Sequence, residues 1–305
     1  MAQFKLIWQS KLVLLLVLPF AAASVVLQAH WWAVNSWPVA VWTLGLSLLF
    51  GLVVFQLGAA TPAASFAGAA ITACMMFSTV TFTPGEAYPY APWHTTLAPV
   101  LTVFVLAFLA TRMGWEGAEE RIQLIAAEDR HGRSASQVAA NLGVAAIASN
   151  ELIQSRLFDS GWVRAAAQAP AILFAVGLAA LAEAAADTVS SEIGQVLGGR
   201  PRMITTLRQV DPGTDGAVSL LGTLAGVAAA ILVALAGTLA LGGGRTMFLV
   251  SCAGGVFGLF FDSLLGATLE RRGWLNNDAV NFLSTASAAA FTLGLLVVLP
   301  HPGVG

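Results

Sequence analysis

Long apolar runs separated by short polar segments repeat along the whole chain. The runs span 12–29, 38–57, 60–80, 97–113, 137–153, 168–186, 216–240, 246–266 and 279–299. A helix needs about 20 residues to cross a bilayer, and several of these runs reach that length. The run at 137–153 is the weakest, because Asn141, Asn150 and Glu151 interrupt it. We therefore predict an all-α, polytopic helical membrane protein with about nine transmembrane helices, and at least about seven.

Composition agrees with a membrane protein. Apolar residues make up 57% of the chain and charged residues only 10%, with a mean hydropathy of +0.79. Because a soluble domain carries about a quarter charged residues, an ordinary soluble enzyme is excluded. The net charge of −2 gives no indication of a nucleic-acid partner. Cys74 and Cys252 lie far apart in apolar runs, so a disulfide framework or a thiolate zinc site is not expected.

Positive charges predict the orientation. The first 23 residues have some features of a signal peptide, but the apolar run continues through Leu27, which favours an uncleaved first helix. With nine spans and the N-terminus inside, eleven of the 14 lysines and arginines fall on the inner side. This distribution follows the positive-inside rule.

Acidic residues divide the chain into two parts. Glu86 is the only acid in the first 110 residues, and the other fifteen acids follow Trp115. Polar groups are costly in lipid, so their positions are informative. We interpret 1–110 as a scaffold of hydrophobic helices and 111–305 as the part that carries the chemistry.

The first polar cluster follows the run at 168–186. Glu183 and Asp187 are four residues apart and share one face of a helix, with Ser190 and Ser191 on the next turn. Carboxylates and hydroxyls in this arrangement are suited to a magnesium ion and its waters. The alternative is a helix end that leaves the membrane with its acids in water.

The second cluster is the segment 201–219. Its polar and glycine residues include Arg202, Arg208, Gly213, Thr214, Asp215, Gly216 and Ser219. We predict that Thr214 or Asp215 caps an apolar helix that begins at 216, where free N–H groups are suited to phosphate. Gly213 and Gly216 are expected to let a ligand approach the backbone. The alternative is a capped loop whose arginines only fix the topology.

The third cluster centres on Asp262. This acid lies inside the apolar run 246–266, where an ionisable group indicates a functional site by default. Gly254, Gly255 and Gly258 predict close helix packing beside it. The alternative is a structural polar contact to a neighbouring helix.

The fourth cluster begins the last apolar run. Asn277 and Asn281 are four residues apart, and Asp278 is three residues before Asn281, which makes this helix face rich in oxygen ligands and amide donors. Alone, it is also consistent with a well-capped helix N-terminus. On the predicted topology all four clusters lie at or near the inner face, where nucleotides are found.

These clusters form ordered motifs that resemble one family. It contains the plant phytyl-phosphate kinases of tocopherol synthesis, an animal multi-pass transmembrane protein and many uncharacterised bacterial and archaeal homologues. The matching motifs, within about residues 110–300, are 187–194, 213–219, 262–268 and 275–282, with an upstream element at 133–141.

The resemblance implies phosphoryl transfer from a nucleoside triphosphate, CTP or another, to an isoprenyl monophosphate of the phytyl or geranylgeranyl type. It implies Mg²⁺ as cofactor, with the lipid substrate, the nucleotide and the bilayer as partners. The catalytic candidates are Asp187, Asp215, Asp262 and Asp278. The candidate metal ligands are Asp187, Glu192, Asp215 and Asp262. The substrate- and phosphate-binding candidates are Arg202, Arg208, Gly213, Thr214, Gly216, Ser219, Asn277 and Asn281.

Other activities stay open. The family is more distantly similar to membrane phytol and dolichol kinases and to lipid cytidylyltransferases, so a cytidylyltransferase is one alternative. An ion- or proton-coupled transporter is another, although a transporter is expected to show pseudo-symmetric halves and midplane charges. The small residues of 216–266 predict a groove for the prenyl chain. The sequence fixes neither the length of that chain nor the oligomeric state.

Overall fold

The computed structural model describes residues 7–80, 91–116, 132–160 and 170–299. Nine charged residues that bear on the predicted orientation and the acid distribution lie outside the described residues: Lys5, Glu86, Glu119, Glu120, Arg121, Glu128, Asp129, Arg130 and Arg164.

Ten α-helices make up most of the described chain. They are α1 (Ile7–Asn35), α2 (Trp37–Gln56), α3 (Pro62–Ser78), α4 (Leu97–Glu116), α5 (Ala135–Ser149), α6 (Glu151–Asp159), α7 (Phe174–Leu197), α8 (Leu220–Ala240), α9 (Arg245–Leu265) and α10 (Asn277–Val298). Short 3₁₀ turns at Pro92–His94 and Pro170–Leu173 precede α4 and α7, and a π-turn at Gly266–Glu270 extends α9. Arg202–Met203 pairs antiparallel with Ala217–Val218.

Each of the nine apolar runs coincides with a helix, and the predicted all-α fold is confirmed. Within the described residues, six helices are long and apolar enough to cross a membrane: α1, α2, α7, α8, α9 with its π-turn, and α10. The apolar helices α3, α4 and α5 are shorter. The weak run at 137–153 divides at Asn150, which ends α5 and caps the polar helix α6 through a hydrogen bond to the Leu152 N–H.

Side-chain caps fix where several helices begin. The Thr61 hydroxyl accepts the Ala64 N–H at the start of α3, where Pro62 occupies the first turn. Ser134 and Gln137 form a reciprocal capping box at the start of α5.

Helix α7 is the centre of the bundle. It contacts α4, α5, α8, α9 and α10. Of the residues in its most apolar stretch, 78% are buried, against 44% or less for the other five long helices. Small residues let its neighbours approach closely. A Cβ added at Gly226 would lie 2.7 Å from the Ala186 carbonyl oxygen, and one at Gly255 would lie 2.7 Å from the Ala182 Cβ. The predicted close packing around Gly255 is therefore confirmed.

Candidate functional site

A cavity of about 700 Å³ lies between α2, α4, α5, α7 and α9, and the loop that precedes α8 also lines it. Ten residues predicted for the site line it: Asp187, Glu192, Gly213, Thr214, Asp215, Gly216, Ser219, Asp262, Asn277 and Asn281. They come from α7, α9, α10 and the loop, so residues from all four polar clusters converge on one space.

A compact group of three carboxyls, from Glu183, Asp187 and Asp262, includes two that line the cavity, Asp187 and Asp262. The carboxyl groups of Asp187 and Asp262 are within hydrogen-bonding reach of each other, and the Ser284 hydroxyl reaches both Glu183 and Asp262. Glu183 is only 1% exposed. Within the described residues, Glu183 Oε1 and Asp262 Oδ2 are buried without a hydrogen-bond partner. Buried polar atoms normally have partners, so this group is incomplete without a further ligand or proton.

Helix α7 continues to Leu197, eleven residues beyond the predicted end of its run at 186. Asp187 therefore lies inside a packed helix and faces the cavity, which contradicts the alternative of a helix end with its acids in water. Further along the same helix, Glu192 Oε1 accepts a hydrogen bond of 3.1 Å from the Thr111 hydroxyl on α4.

Charges of both signs lie near the loop that precedes α8. Partial burial raises the pKa of the Asp215 carboxyl from its ordinary value, and the Arg271 guanidinium opposes that rise. Glu270, in the π-turn, also lines the cavity and lies within electrostatic range of Asp215 and Asp187. Sequence patterns did not indicate Glu270, because it follows the apolar run in a polar segment typical of any helix end.

The glycines of the loop have different roles. Gly216 has φ 74°, and a Cβ there would lie 2.2 Å from the backbone nitrogen of Ala267. It therefore lets the loop pack against the π-turn, a role that the sequence did not indicate. Gly213 has φ 82°, and the nearest atom to an added Cβ is Gln195 Oε1 at 3.8 Å, so space for a ligand does exist there.

The predicted start of α8 is wrong. The helix begins at Leu220, and Ser219 caps it by accepting the Gly222 N–H at 3.1 Å. The preceding residues 217 and 218 pair with 202 and 203 as a short strand, which delays the helix. Thr214 instead turns back within the loop, where its hydroxyl donates to the Asp211 carbonyl. No free helix N-terminus at 216 is therefore available to phosphate.

Three predicted residues do not line the cavity. Arg202 is exposed and its guanidinium donates to the Leu207 carbonyl, which closes a small turn. Arg208 is exposed in the same turn. Asp278 is buried in the first turn of α10, about 100° around the helix from Asn277, so the two side chains face different surroundings.

Two arginines that were not predicted as site residues also line the cavity. They are Arg112, at the end of α4, and Arg133, just before α5. Arg133 belongs to the upstream element 133–141, but nothing in its spacing indicated that it faces Asp187. That proximity is produced by packing of distant helices, since α5 contacts both α3 and α7.

The apolar wall comes mainly from α2, α4 and α5. Phe50 stacks edge-on against Phe104 with ring centroids 5.4 Å apart, and Phe104 stacks on Phe108 at 5.6 Å. Arg112 lies over the Phe108 ring, 4.9 Å from its centroid. The groove predicted within 216–266 is therefore misplaced: in that range the large apolar residue that lines the cavity is Leu259. Helices before residue 110 supply more than a scaffold.

The residues present allow a limited metal site. Within the described ranges, no three His, Cys, Asp or Glu side chains are placed to hold one metal ion together. Magnesium commonly takes one or two protein carboxylates and completes its shell with water and substrate phosphates. The adjacent carboxyls of Asp187 and Asp262, with the unpartnered Asp262 Oδ2, fit that pattern.

Comparison with known proteins identifies the family. The family described as "Integral membrane protein DUF92" matches residues 45–289. The chain belongs to the DUF92 family. It is accordingly an integral, multi-pass membrane protein. The matched DUF92 region begins in α2 and ends in α10, so it includes both walls of the cavity.

Named relatives cover parts of the chain. An uncharacterized membrane protein of Methanocaldococcus jannaschii is 37% identical over 187 residues, which are 61% of this chain and 70% of that protein. One from Synechocystis is 38% identical over 36% of this chain and 43% of its own length. Protein VTE6, chloroplastic, of Arabidopsis thaliana is 38% identical over 32% of this chain and 30% of its own length. No solved structure matches this chain.

Proposed function

We propose that this protein transfers the terminal phosphoryl group of a nucleoside triphosphate, CTP or another, to an isoprenyl monophosphate. One observation carries the proposal: a single cavity joins an aromatic, apolar wall to an acid-rich wall. A prenyl phosphate has the same division, with an apolar chain and a charged head. The cavity of about 700 Å³ is within the range typical of small-molecule sites.

The chemistry needs little beyond position and charge. A terminal oxygen of the lipid monophosphate attacks the γ-phosphorus, the bond from that phosphorus to the β–γ bridging oxygen breaks, and the nucleoside diphosphate leaves with the bonding electrons. A monophosphate dianion needs no base, because the attacking oxygen carries no proton. Such transfer depends on alignment and on compensation of negative charge.

Asp187 and Asp262 would hold the magnesium ion, and the ion would neutralise charge on the transferring phosphates. Their carboxyls are adjacent, both residues are half-buried, and Asp262 Oδ2 is buried. Asn277 and Asn281, four residues apart at the start of α10, present amide groups to the same space. Gly213 and Thr214 line the cavity from the loop that precedes α8, and they are candidates for contacts to the nucleotide.

The relatives support the reaction class only in part. The motifs resemble the family that contains the plant phytyl-phosphate kinases, and about a third of the chain is similar to a chloroplastic plant protein. The reaction, the magnesium ion, the nucleotide and the placement of the site at the inner face are proposals.

Double labelling tests the reaction. Purified protein in detergent is incubated with geranylgeranyl or phytyl monophosphate and with CTP labelled in either the α- or the γ-phosphate. A kinase transfers label to the lipid from the γ position alone. Label from the α position indicates a cytidylyltransferase, and absence of lipid product with each of the four nucleotides contradicts both activities.

A second candidate is ion- or proton-coupled transport, which the buried carboxyls favour. Glu183 and Asp262 lie within apolar helices, and each has a buried oxygen without a partner among the described residues. Such groups mark ion pathways in many membrane proteins. Substrate-dependent proton uptake by proteoliposomes, measured on protein that gives no lipid product, would favour this candidate.

A further inference from the structure

Arg133 is held by its backbone at the turn between α2 and α3. Its N–H donates to the Ala59 carbonyl at 3.0 Å, and its carbonyl accepts the Thr61 N–H at 3.0 Å. The preceding Gly132 has φ 75°, and a Cβ there would lie 2.8 Å from the Ala60 nitrogen. This fixation does not involve the Arg133 side chain, which is therefore available for another role.

The Arg133 guanidinium is half-buried and lines the cavity. Across the part of the chain that the structure describes, it forms neither a hydrogen bond nor an ion pair, and Asp187 is the acid within its electrostatic range. A guanidinium presents five N–H donors in a planar fork that matches a phosphate group. A half-buried guanidinium whose N–H donors have no acceptor is suited to an anionic ligand.

We infer that Arg133 binds the phosphate of the lipid substrate and holds it beside Asp187. The inference rests on the proposed function and names a binding residue for it. The position favours the lipid over the nucleotide. Arg133 is attached to the residues that follow α2. Phe50 and Val54 of α2, and Leu57 just after it, contribute to the apolar wall. A phosphate bound there has room for an apolar chain immediately beside it.

Arg112 is less suited to the same role. It is exposed, and it already lies over the Phe108 ring. Of the two arginines that line the cavity, the half-buried Arg133 is therefore the one assigned to the phosphate.

The test uses Arg133→Ala, Arg133→Lys and the control Arg156→Ala, which removes an exposed arginine of α6 outside the cavity. Two kinds of measurement are made on each variant. Kinetics give the KM for lipid monophosphate and the KM for nucleotide. Thermal unfolding gives the rise in melting temperature caused by geranylgeranyl monophosphate relative to that caused by geranylgeraniol. Arg133→Ala is expected to raise the lipid KM about 10- to 100-fold, with the nucleotide KM changed less than about twofold.

The thermal measurement separates this inference from the proposed reaction. In wild-type protein the monophosphate should stabilise more than the alcohol, and Arg133→Ala should lose that difference. Arg133→Lys keeps the charge without the fork, so it should fall between the two and guards against a folding defect in the alanine variant. Arg156→Ala should match wild type.

Three results would overturn the inference. In the first, Arg133→Ala keeps both the lipid KM and the phosphate-specific stabilisation. In the second, the nucleotide KM alone rises. In the third, wild-type protein is stabilised no more by the monophosphate than by the alcohol. If wild type shows the stabilisation but makes no lipid product with any nucleotide, the proposed reaction fails, and loss of the stabilisation in Arg133→Ala still supports the inference.

Discussion

The two walls of the cavity are built on opposite principles. The wall from α2 and α4 is apolar and is held by aromatic contacts among Phe50, Phe104 and Phe108. The wall from α7 and α9 carries acids and is held by small residues: a Cβ at Gly258 would lie 2.4 Å from the Glu183 Cγ. The acidic wall thus depends on backbones that approach closely, whereas the apolar wall depends on large side chains.

This difference has a functional consequence. A charged group in an apolar helix is costly unless a ligand, a partner or a proton compensates it. The acidic wall is therefore not optimised for stability, while the apolar wall contributes to packing whether or not a ligand is bound. Substitutions in the two walls should separate activity from stability in different ways.

The largest effect is expected from Asp187→Asn. If the Asp187 carboxylate holds the magnesium ion that compensates phosphate charge, its loss should lower turnover about 10³-fold or more, with little change in melting temperature. Asp159→Asn, at the exposed end of α6, is the matched control and should retain turnover. Near-normal turnover of Asp187→Asn at limiting magnesium would remove Asp187 from the proposed metal site.

Substitutions of Asp262 should separate activity from stability in the acidic wall. Its Oδ2 is buried without a described partner, and acids on α7 lie close to it. Replacement by Asn should lower turnover about 100-fold. Replacement by Leu should also inactivate, but without lowering the melting temperature, because an uncompensated carboxyl is removed from apolar surroundings. A structural role would give the opposite pattern for Leu: a lower melting temperature, with residual activity that follows the folded fraction.

The acidic wall could be predicted from sequence, and the apolar wall could not. An acid such as Asp262 is conspicuous in an apolar run, because lipid-facing positions exclude charge. Phe104 carries no such signal, since most residues of a membrane helix are apolar whether they face lipid, core or a cavity. The nine apolar helices could be predicted for the same reason, because a long apolar run is typical of a membrane helix.

The local structure between helices could not be predicted from the sequence either. Thr214 and Asp215 looked like caps, because both residue types favour that position. The actual cap is Ser219, since pairing of 217–218 with 202–203 keeps the chain extended until then. Arg133 was missed for a related reason: contacts between residues far apart in sequence place it, and spacing within one segment carries no information about them.

Gly216→Ala is expected to have an intermediate effect. The added Cβ would meet the backbone of Ala267 at 2.2 Å, so the loop must move away from the π-turn and shift Asp215. Gly199→Ala is a matched control, because Gly199 also has positive φ, 65° against 74°, but has nothing within 4 Å of the added Cβ. We expect a loss of about tenfold in turnover for Gly216→Ala beyond that of Gly199→Ala. Equal losses would attribute the effect to backbone strain alone.

The smallest effect is expected in the apolar wall. Phe104 contacts the Phe50 and Phe108 rings at the centre of the aromatic row, so Phe104→Ala should enlarge the cavity and weaken contact with the prenyl chain. An aromatic contact is worth about 1 kcal/mol, which corresponds to about a fivefold rise in the KM for lipid. The KM for nucleotide should not change, because the nucleotide is proposed to contact the loop that precedes α8. Leu109→Ala, on an exposed part of the same helix, is the control and should leave both constants unchanged.

Chain length makes this last test decisive for the apolar wall. If the aromatic row contacts the prenyl chain, the effect of Phe104→Ala should be larger for geranylgeranyl monophosphate than for a short prenyl monophosphate that does not reach Phe104. The reason is that only the longer chain loses the contact, while both keep the same phosphate. Equal rises in KM for the two lipids would mean that Phe104 acts on the shape of the whole cavity. A rise in the nucleotide KM would mean that Phe104 also affects nucleotide binding, which contradicts the proposed positions of the two substrates.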